Sequence, residues 1–161
     1  MNISILGSTG SIGQNTLRII DKKRKKLNIY LLSANKNYNL INKQIIKYNP
    51  KYFVITDHHI YKRIKKLFKN RRTKIINNFD FLNKLKNKVK SDVTVSAIPG
   101  IAGLEPTLKI IKITKKLLLA NKESVICGWD LIKKTSIKYK TKITPVDSEH
   151  FSIFQLLKNH K

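Results

Sequence analysis

The sequence predicts an α/β fold: a doubly wound, mostly parallel sheet with helices on both faces. Three observations carry that expectation. Short runs rich in Ile, Val and Leu alternate along the chain with segments whose apolar residues recur at helical spacing, giving about six strands with helices between them. A glycine-rich turn, Gly7-Ser-Thr-Gly10-Ser-Ile-Gly13, joins the first strand to the first helix. No internal repeat or low-complexity linker interrupts the alternation, and 161 residues suffice for one domain with a real core.

Ile3, Ile5 and Leu6 make the first, buried strand, and Ile12, Thr16, Leu17, Ile19 and Ile20 place a helix from Ser11. The three glycines between them suit a sharp turn off the strand, an approach of backbone to a pyrophosphate, and close packing of helix on sheet. A helix beginning there offers N–H groups and a positive dipole end to an anion, so a dinucleotide is the natural ligand of this Rossmann-like start. The spacing is one residue longer than the commonest fingerprint, and a tight βα turn alone would use the same glycines. Their position between strand and helix favours the nucleotide.

After a basic turn over 21–26, residues 27–33 form the second strand, ending in Ala34-Asn35-Lys36-Asn37. A dinucleotide fold keeps its ribose selector about here, roughly 20 residues past the glycines. There is no carboxylate and Lys36 is available, which favours NADP over NAD. A helix over 40–48 stops at Pro50, and 51–56 is the third strand. A helix from His58 to about Asn70, a short strand over 73–76 and a helix from Phe79 to about Lys88 follow, then a strand over 91–98. Residues 99–106, with two glycines and two prolines, read as a loop over the carboxyl edge of the sheet, where ligands of open α/β sheets bind. A helix over 107–113 leads to a strand over 115–120.

That strand runs into Asn121-Lys122-Glu123-Ser124 and a helix from Val125 to about Thr135. A helix cap at Asn121 and a first-turn anion at Glu123 are ordinary uses of such residues. The last strand, 142–146, precedes Asp147-Ser148-Glu149-His150 and a helix carrying Phe151, Ile153, Phe154, Leu156 and Leu157. Asp147 and Glu149 can both face one hard cation such as Mg²⁺ or Mn²⁺. A cap formed by Asp147 or Ser148 explains the same residues equally well.

The formal charge of +25 invites a nucleic-acid reading. The bias, however, is 29 Lys against 5 Arg, with 24 Ile and 15 Asn, all favoured by AT-rich codons. The lysines punctuate nearly every helix rather than one face or tail, so no specific nucleic-acid partner is expected. The single cysteine, Cys127, excludes a disulfide framework and a Cys-based zinc site; a buried, small hydrophobe in a reducing compartment is expected. No run approaches the roughly 18 apolar residues of a membrane span. The first strand begins at residue 3, which leaves no room for a targeting segment, so a cytoplasmic protein without membrane contact is expected.

Four stretches, taken in chain order, resemble the 1-deoxy-D-xylulose 5-phosphate reductoisomerase family: the glycine turn 7–13; Ala97-Ile-Pro-Gly-Ile-Ala-Gly-Leu-Glu-Pro-Thr107; Leu118-Leu-Ala-Asn-Lys-Glu-Ser124; and Pro145-Val-Asp-Ser-Glu-His150 with Ile153-Phe-Gln155. The resemblance implies an NADPH-dependent, metal-assisted enzyme of the non-mevalonate isoprenoid pathway. Such an enzyme isomerises the sugar phosphate and reduces the product to 2-C-methyl-D-erythritol 4-phosphate.

It further implies Thr9, Gly10, Ser11 and Ile12 on the cofactor pyrophosphate and Lys36 and Asn37 near the 2′-phosphate, beside Asn35 where many relatives have glycine. Asn121 and Glu123 would hold the nicotinamide half, and Lys122, Ser148 and Glu149 the substrate. Asp147 and Glu149 would take the metal, with Lys122 and Glu149 as the catalytic candidates. Phe151-Ser152 departs from the polar-then-alanine pair expected after His150. The family is considerably longer than 161 residues. On this reading 1–145 is an NADPH-binding domain and 146–161 the start of a catalytic domain. The remaining metal ligand, phosphate-binding residues, closing loop and C-terminal helices lie elsewhere, so these residues alone are expected to be inactive. A homodimer is expected only for the full-length family. The competing readings are another NADP-dependent oxidoreductase sharing only the cofactor domain, such as a semialdehyde dehydrogenase, and a cofactor-binding remnant without catalysis.

Overall fold

Continuous apolar runs make the strands, because a parallel sheet covered on both faces must bury alternate residues in opposite directions. The computed structural model describes residues 1–22, 27–85 and 89–146. In order these are β1 (Asn2–Leu6), α1 (Ser11–Lys22), β2 (Asn28–Ala34), α2 (Tyr38–Tyr48), β3 (Tyr52–Ile55), α3 (His58–Leu67), β4 (Lys74–Ile76), a 3₁₀ segment (Asp80–Leu85) and β5 (Ser91–Ser96). A second 3₁₀ turn (Ile101–Gly103), α4 (Leu104–Ile111), β6 (Thr114–Leu119), α5 (Lys122–Tyr139) and β7 (Lys142–Pro145) complete them.

The strands form one sheet in the order β4-β3-β2-β1-β5-β6-β7, every described pairing parallel. The chain moves outward from β1 through β2 to β4, then returns to the other side for β5 to β7. The reversal lies between β1 and β5, where Ile5 is level with both Leu32 and Val95. On one face Ile5, Leu32 and Phe53 pack under Leu17 of α1, Ile41 and Ile45 of α2 and Ile64 of α3. On the other, Leu6, Leu31, Val54 and Leu117 meet Leu82, Ile110 and Ile111 of α4, and Ile132 of α5.

The sheet has seven strands rather than about six, and is wholly parallel. The helix expected from Phe79 is a 3₁₀ segment through Leu85, with residues 86–88 outside the described set. The helix expected over 107–113 starts at Leu104, because Pro106 sits in its first turn, where a missing N–H costs nothing. The loop over 99–106 is therefore shorter than its prolines suggested.

Helix α1 buries Gly13, Leu17 and Ile20, while Ile12 and Ile19 are exposed. Cys127 is exposed, not buried. The buried stripe of α5 is Ser124, Gly128, Ile132 and Ser136, a spacing of four that leaves position 127 outside it. Among the described residues no helix is long and apolar enough to cross a membrane. Asp147, Ser148, Glu149, His150 and the segment from Phe151 lie outside the described residues.

Candidate functional site

Everything the glycine turn organises lies at the carboxyl edge of the sheet, at the point where strand order reverses. Gly7 leaves β1 with φ +80°, and a Cβ there would stand 2.6 Å from the carbonyl oxygen of Ala97 at the end of β5. At Gly13 a Cβ would meet Gly7 O and stand 2.6 Å from Ser8 Cα, so this glycine lets α1 close onto its own turn. Gly10 differs: the nearest atom to a Cβ is Gly7 O at 3.5 Å. The Gly10 amide donates back to Gly7 O at 3.1 Å, and the first α1 bond, Gln14 N to Gly10 O at 2.9 Å, leaves the amides of Ser11, Ile12 and Gly13 at the helix start.

The turn is clamped from beneath. Ser33 Oγ, at the end of β2, accepts from Gly7 N (3.0 Å), and Ser33 O accepts from Ser8 N (2.7 Å). Gln44 of α2 accepts from the Ser8 hydroxyl (2.6 Å) and donates to Ser8 O (2.9 Å). Ser8, Ser33 and Gln44 are all buried. The sequence reading missed Ser33 and Gln44. The one available signal was a glutamine within the apolar stripe of α2, between Ile41 and Ile45.

A cleft of about 590 Å³ runs from Gly7, Thr9 and Gly10 past Ser33, Ala34 and Asn35 to Thr56, with Phe79, Ile98 and Pro106 as an apolar wall. Asn35 Nδ2 donates to Thr56 Oγ1 at 2.7 Å. Lys36 is exposed. The Asn37 side chain caps α2 by accepting from Leu40 N at 3.1 Å. Asp57 caps α3 through Ile60 N (2.9 Å); that bond first, with the charge of Lys36 among the lesser contributions, holds its carboxyl below the usual 3.8. Asp57 is a carboxylate beside the ribose side that the sequence reading did not weigh.

A second cleft of about 370 Å³ is lined by Gly10, Ser11, Ile12, Ala97, Pro99, Ala120, Lys122 and Glu123. It shares Gly10, Ala97 and Pro99 with the first, so an elongated ligand can cross the glycine turn from Asn35 to Glu123. Asn121 is 3% exposed and forms the α5 cap: its oxygen accepts from Ser124 N at 2.6 Å. Its amide group donates to Ile98 O and to Gly100 O, the latter at 2.9 Å. A larger hollow of about 730 Å³, beside Asn2, Asn28, Lys51 and Arg72, lies at the amino ends of the strands. It has neither the glycine turn nor a helix N-terminus, and chemistry favours the carboxyl edge over size.

The structure thus brings Thr9 to Ile12, Asn35, Lys122 and Glu123 around two connected clefts. Among the described residues no group of three His, Cys, Asp or Glu could hold a metal ion, and Asp147, Ser148 and Glu149 fall outside them.

The family model for 1-deoxy-D-xylulose 5-phosphate reductoisomerase matches residues 3–128. The curated protein of that name from Pelagibacter ubique (strain HTCC1062) is 52% identical over 160 residues, covering 99% of this chain and 41% of the relative. Its counterpart from Clostridium tetani (strain Massachusetts / E88) is 39% identical over 158 residues, covering 97% of this chain and 41% of the relative. Of solved structures, the Zymomonas mobilis reductoisomerase in complex with NADPH superposes with a TM-score of 0.85 at 34% identity, over 96% of this chain and 40% of that one. A homoserine dehydrogenase from S. aureus, at a TM-score of 0.50 and 16% identity, shares the fold alone. The chain spans about two fifths of the length of the reductoisomerases it matches.

Proposed function

The chain belongs to the 1-deoxy-D-xylulose 5-phosphate reductoisomerase family, and from that premise we propose that its residues form the NADPH-binding part of an enzyme converting 1-deoxy-D-xylulose 5-phosphate to 2-C-methyl-D-erythritol 4-phosphate. The observation that carries this is the room at Gly10, where a Cβ would meet nothing closer than 3.5 Å and two clefts meet over the start of α1. A pyrophosphate fits there and nowhere along the close contacts at Gly7 and Gly13.

In this proposal Thr9, Gly10, Ser11 and Ile12 border the pyrophosphate, which meets the free N–H groups and positive end of α1, while the Gly10 N–H stays on Gly7 O and its missing side chain leaves room. Lys36, with Asn35 and Asn37 beside it, takes the 2′-phosphate that distinguishes NADPH from NADH. Glu123 borders the nicotinamide half, and the ammonium of Lys122 faces the sugar phosphate from the first turn of α5. Bound NADPH supplies the hydride. Asp147 and Glu149 are the carboxylates offered to Mg²⁺ or Mn²⁺, and Ser148 and Glu149 the further substrate contacts, on the donor chemistry of their side chains. We place the domain boundary at 145/146 and the whole enzyme, as a homodimer, in the cytosol. These 161 residues alone bind cofactor without turnover, because two carboxylates do not complete a near-octahedral Mg²⁺ shell.

The test is titration of the 161-residue chain with NADPH and with NADH, followed by nucleotide fluorescence. NADPH is expected to bind at least tenfold more tightly. Equal affinities would refute the role of Lys36, and an absence of binding to either would refute the assignment of the clefts.

A further inference from the structure

Asn121 is the residue on which the two walls of the cleft converge. A primary amide has two donor hydrogens and one acceptor oxygen. Here both donors are spent on the carbonyls of Ile98 and Gly100, and the oxygen on the Ser124 amide. The side chain is buried, and both of its N–H groups are engaged within the chain. Gly103 lies against it: a Cβ there would stand 2.6 Å from both Asn121 Nδ2 and Ile98 O. The next residue, Leu104, fills the space where Gly128 lacks a Cβ, and Gly128 is the one residue of α5 with non-helical angles (φ −140°, ψ 18°).

The segment 98–104 is therefore fastened to α5 at two points. It supplies Ile98, Pro99 and Ala102 to the first cleft and Pro99 to the second, while the first turn of α5 supplies Lys122 and Glu123. We infer that Asn121 is a positioning residue, a latch that makes the 98–104 segment and the N-terminus of α5 move as one, so that a nucleotide seated against Pro99 also sets Lys122 and Glu123. The cofactor consequence rests on the function proposed above; the latch itself does not.

The experiment uses two variants of the full chain. Asn121→Ser keeps a hydroxyl acceptor for the α5 cap but is too short to reach Ile98 O and Gly100 O. Gly103→Ala leaves Asn121 in place and drives a methyl group into it. Amide hydrogen exchange without ligand should show 98–104 and 122–126 losing protection together, by tenfold or more, in either variant, with β1 to β3 unchanged. The double variant should be no worse than the more affected single one, since both break the same contact. Loss confined to one segment, or additive losses, would overturn the latch. In a second arm, NADPH protects both segments of the unaltered chain but only 98–104 in Asn121→Ser; equal protection of 122–126 in both proteins would overturn the coupling. Failure of the unaltered chain to bind NADPH removes the proposed function and leaves the ligand-free exchange to decide the latch.

Discussion

Replacing each glycine of the 7–13 turn by alanine separates folding from binding. At Gly13 the added methyl meets Gly7 O and Ser8 Cα, both backbone, so neither can move aside cheaply. Overpacking of this kind costs about 1–3 kcal/mol, and each kcal/mol lowers the melting temperature of a chain this size by about 2–4 °C. Gly7→Ala adds left-handed strain at φ +80° to contact with Ala97 O and should fall at least as far. Gly10→Ala meets nothing closer than 3.5 Å, so the melt should hold, or rise slightly as the unfolded chain loses freedom. The same methyl occupies the space proposed for the pyrophosphate. Losing one charge-assisted hydrogen bond costs about 1.5–3 kcal/mol, or about 10–100-fold in NADPH affinity. Thermal melts and NADPH titrations of the three variants check this. The reasoning fails if Gly10→Ala binds NADPH like the unaltered chain, or if its melt drops as far as that of Gly13→Ala.

Lys36→Glu should weaken NADPH by tenfold or more and leave NADH nearly unchanged, which the same titration reads; a parallel loss of both would mean that Lys36 acts through the fold. Gln44→Leu takes the donor from the buried Ser8 carbonyl, while the Ser8 hydroxyl keeps Ser33 O, and should destabilise the chain by about 1–3 kcal/mol in urea unfolding. A change within experimental error would show that the clamp under the glycine turn is dispensable. On pH, Asp57 is held below its ordinary 3.8 first by the Ile60 amide, and Asp92 first by Lys115. A carboxylate whose folded value is depressed stabilises above its unfolded value, and that contribution is lost as pH falls through the folded one. Stability from these groups should therefore hold down to about pH 4 and decline below it, and Asp92→Asn should flatten that decline in acid titration of the melt.

What was legible in the chain was whatever neighbours in sequence decide. Ile3–Leu6 followed by three glycines and an amphipathic segment specified strand, turn and helix, and the Asn121 cap followed from a polar residue at a strand-to-helix junction. The clamp and the latch were not legible, because their bonds join residues 36 and 23 apart, brought together only by the sheet. Half of Asn121 could be read: its oxygen serves the local cap, while its two donors serve the segment that follows another strand. Cys127 was misplaced for a related reason. Composition makes a lone cysteine a core residue, but the small-residue stripe of α5 set which face turns inward.

Charge was legible in amount and not in arrangement. Among the described residues Asp21, Asp80, Asp92 and Glu105 pair with Lys47, Lys109 and Lys115. Exposed pairs of this sort contribute little stability. Outside these pairs stand Asp57 near the first cleft and Glu123 in the second, in a chain of charge +25. Such a field draws any polyanion, nucleotide or nucleic acid alike, and does so less as salt rises. Salt-sensitive binding therefore cannot identify the ligand. The ratio of NADPH to NADH affinity can, because the two nucleotides differ by one phosphate and only a site built around that phosphate tells them apart by more than the general field does.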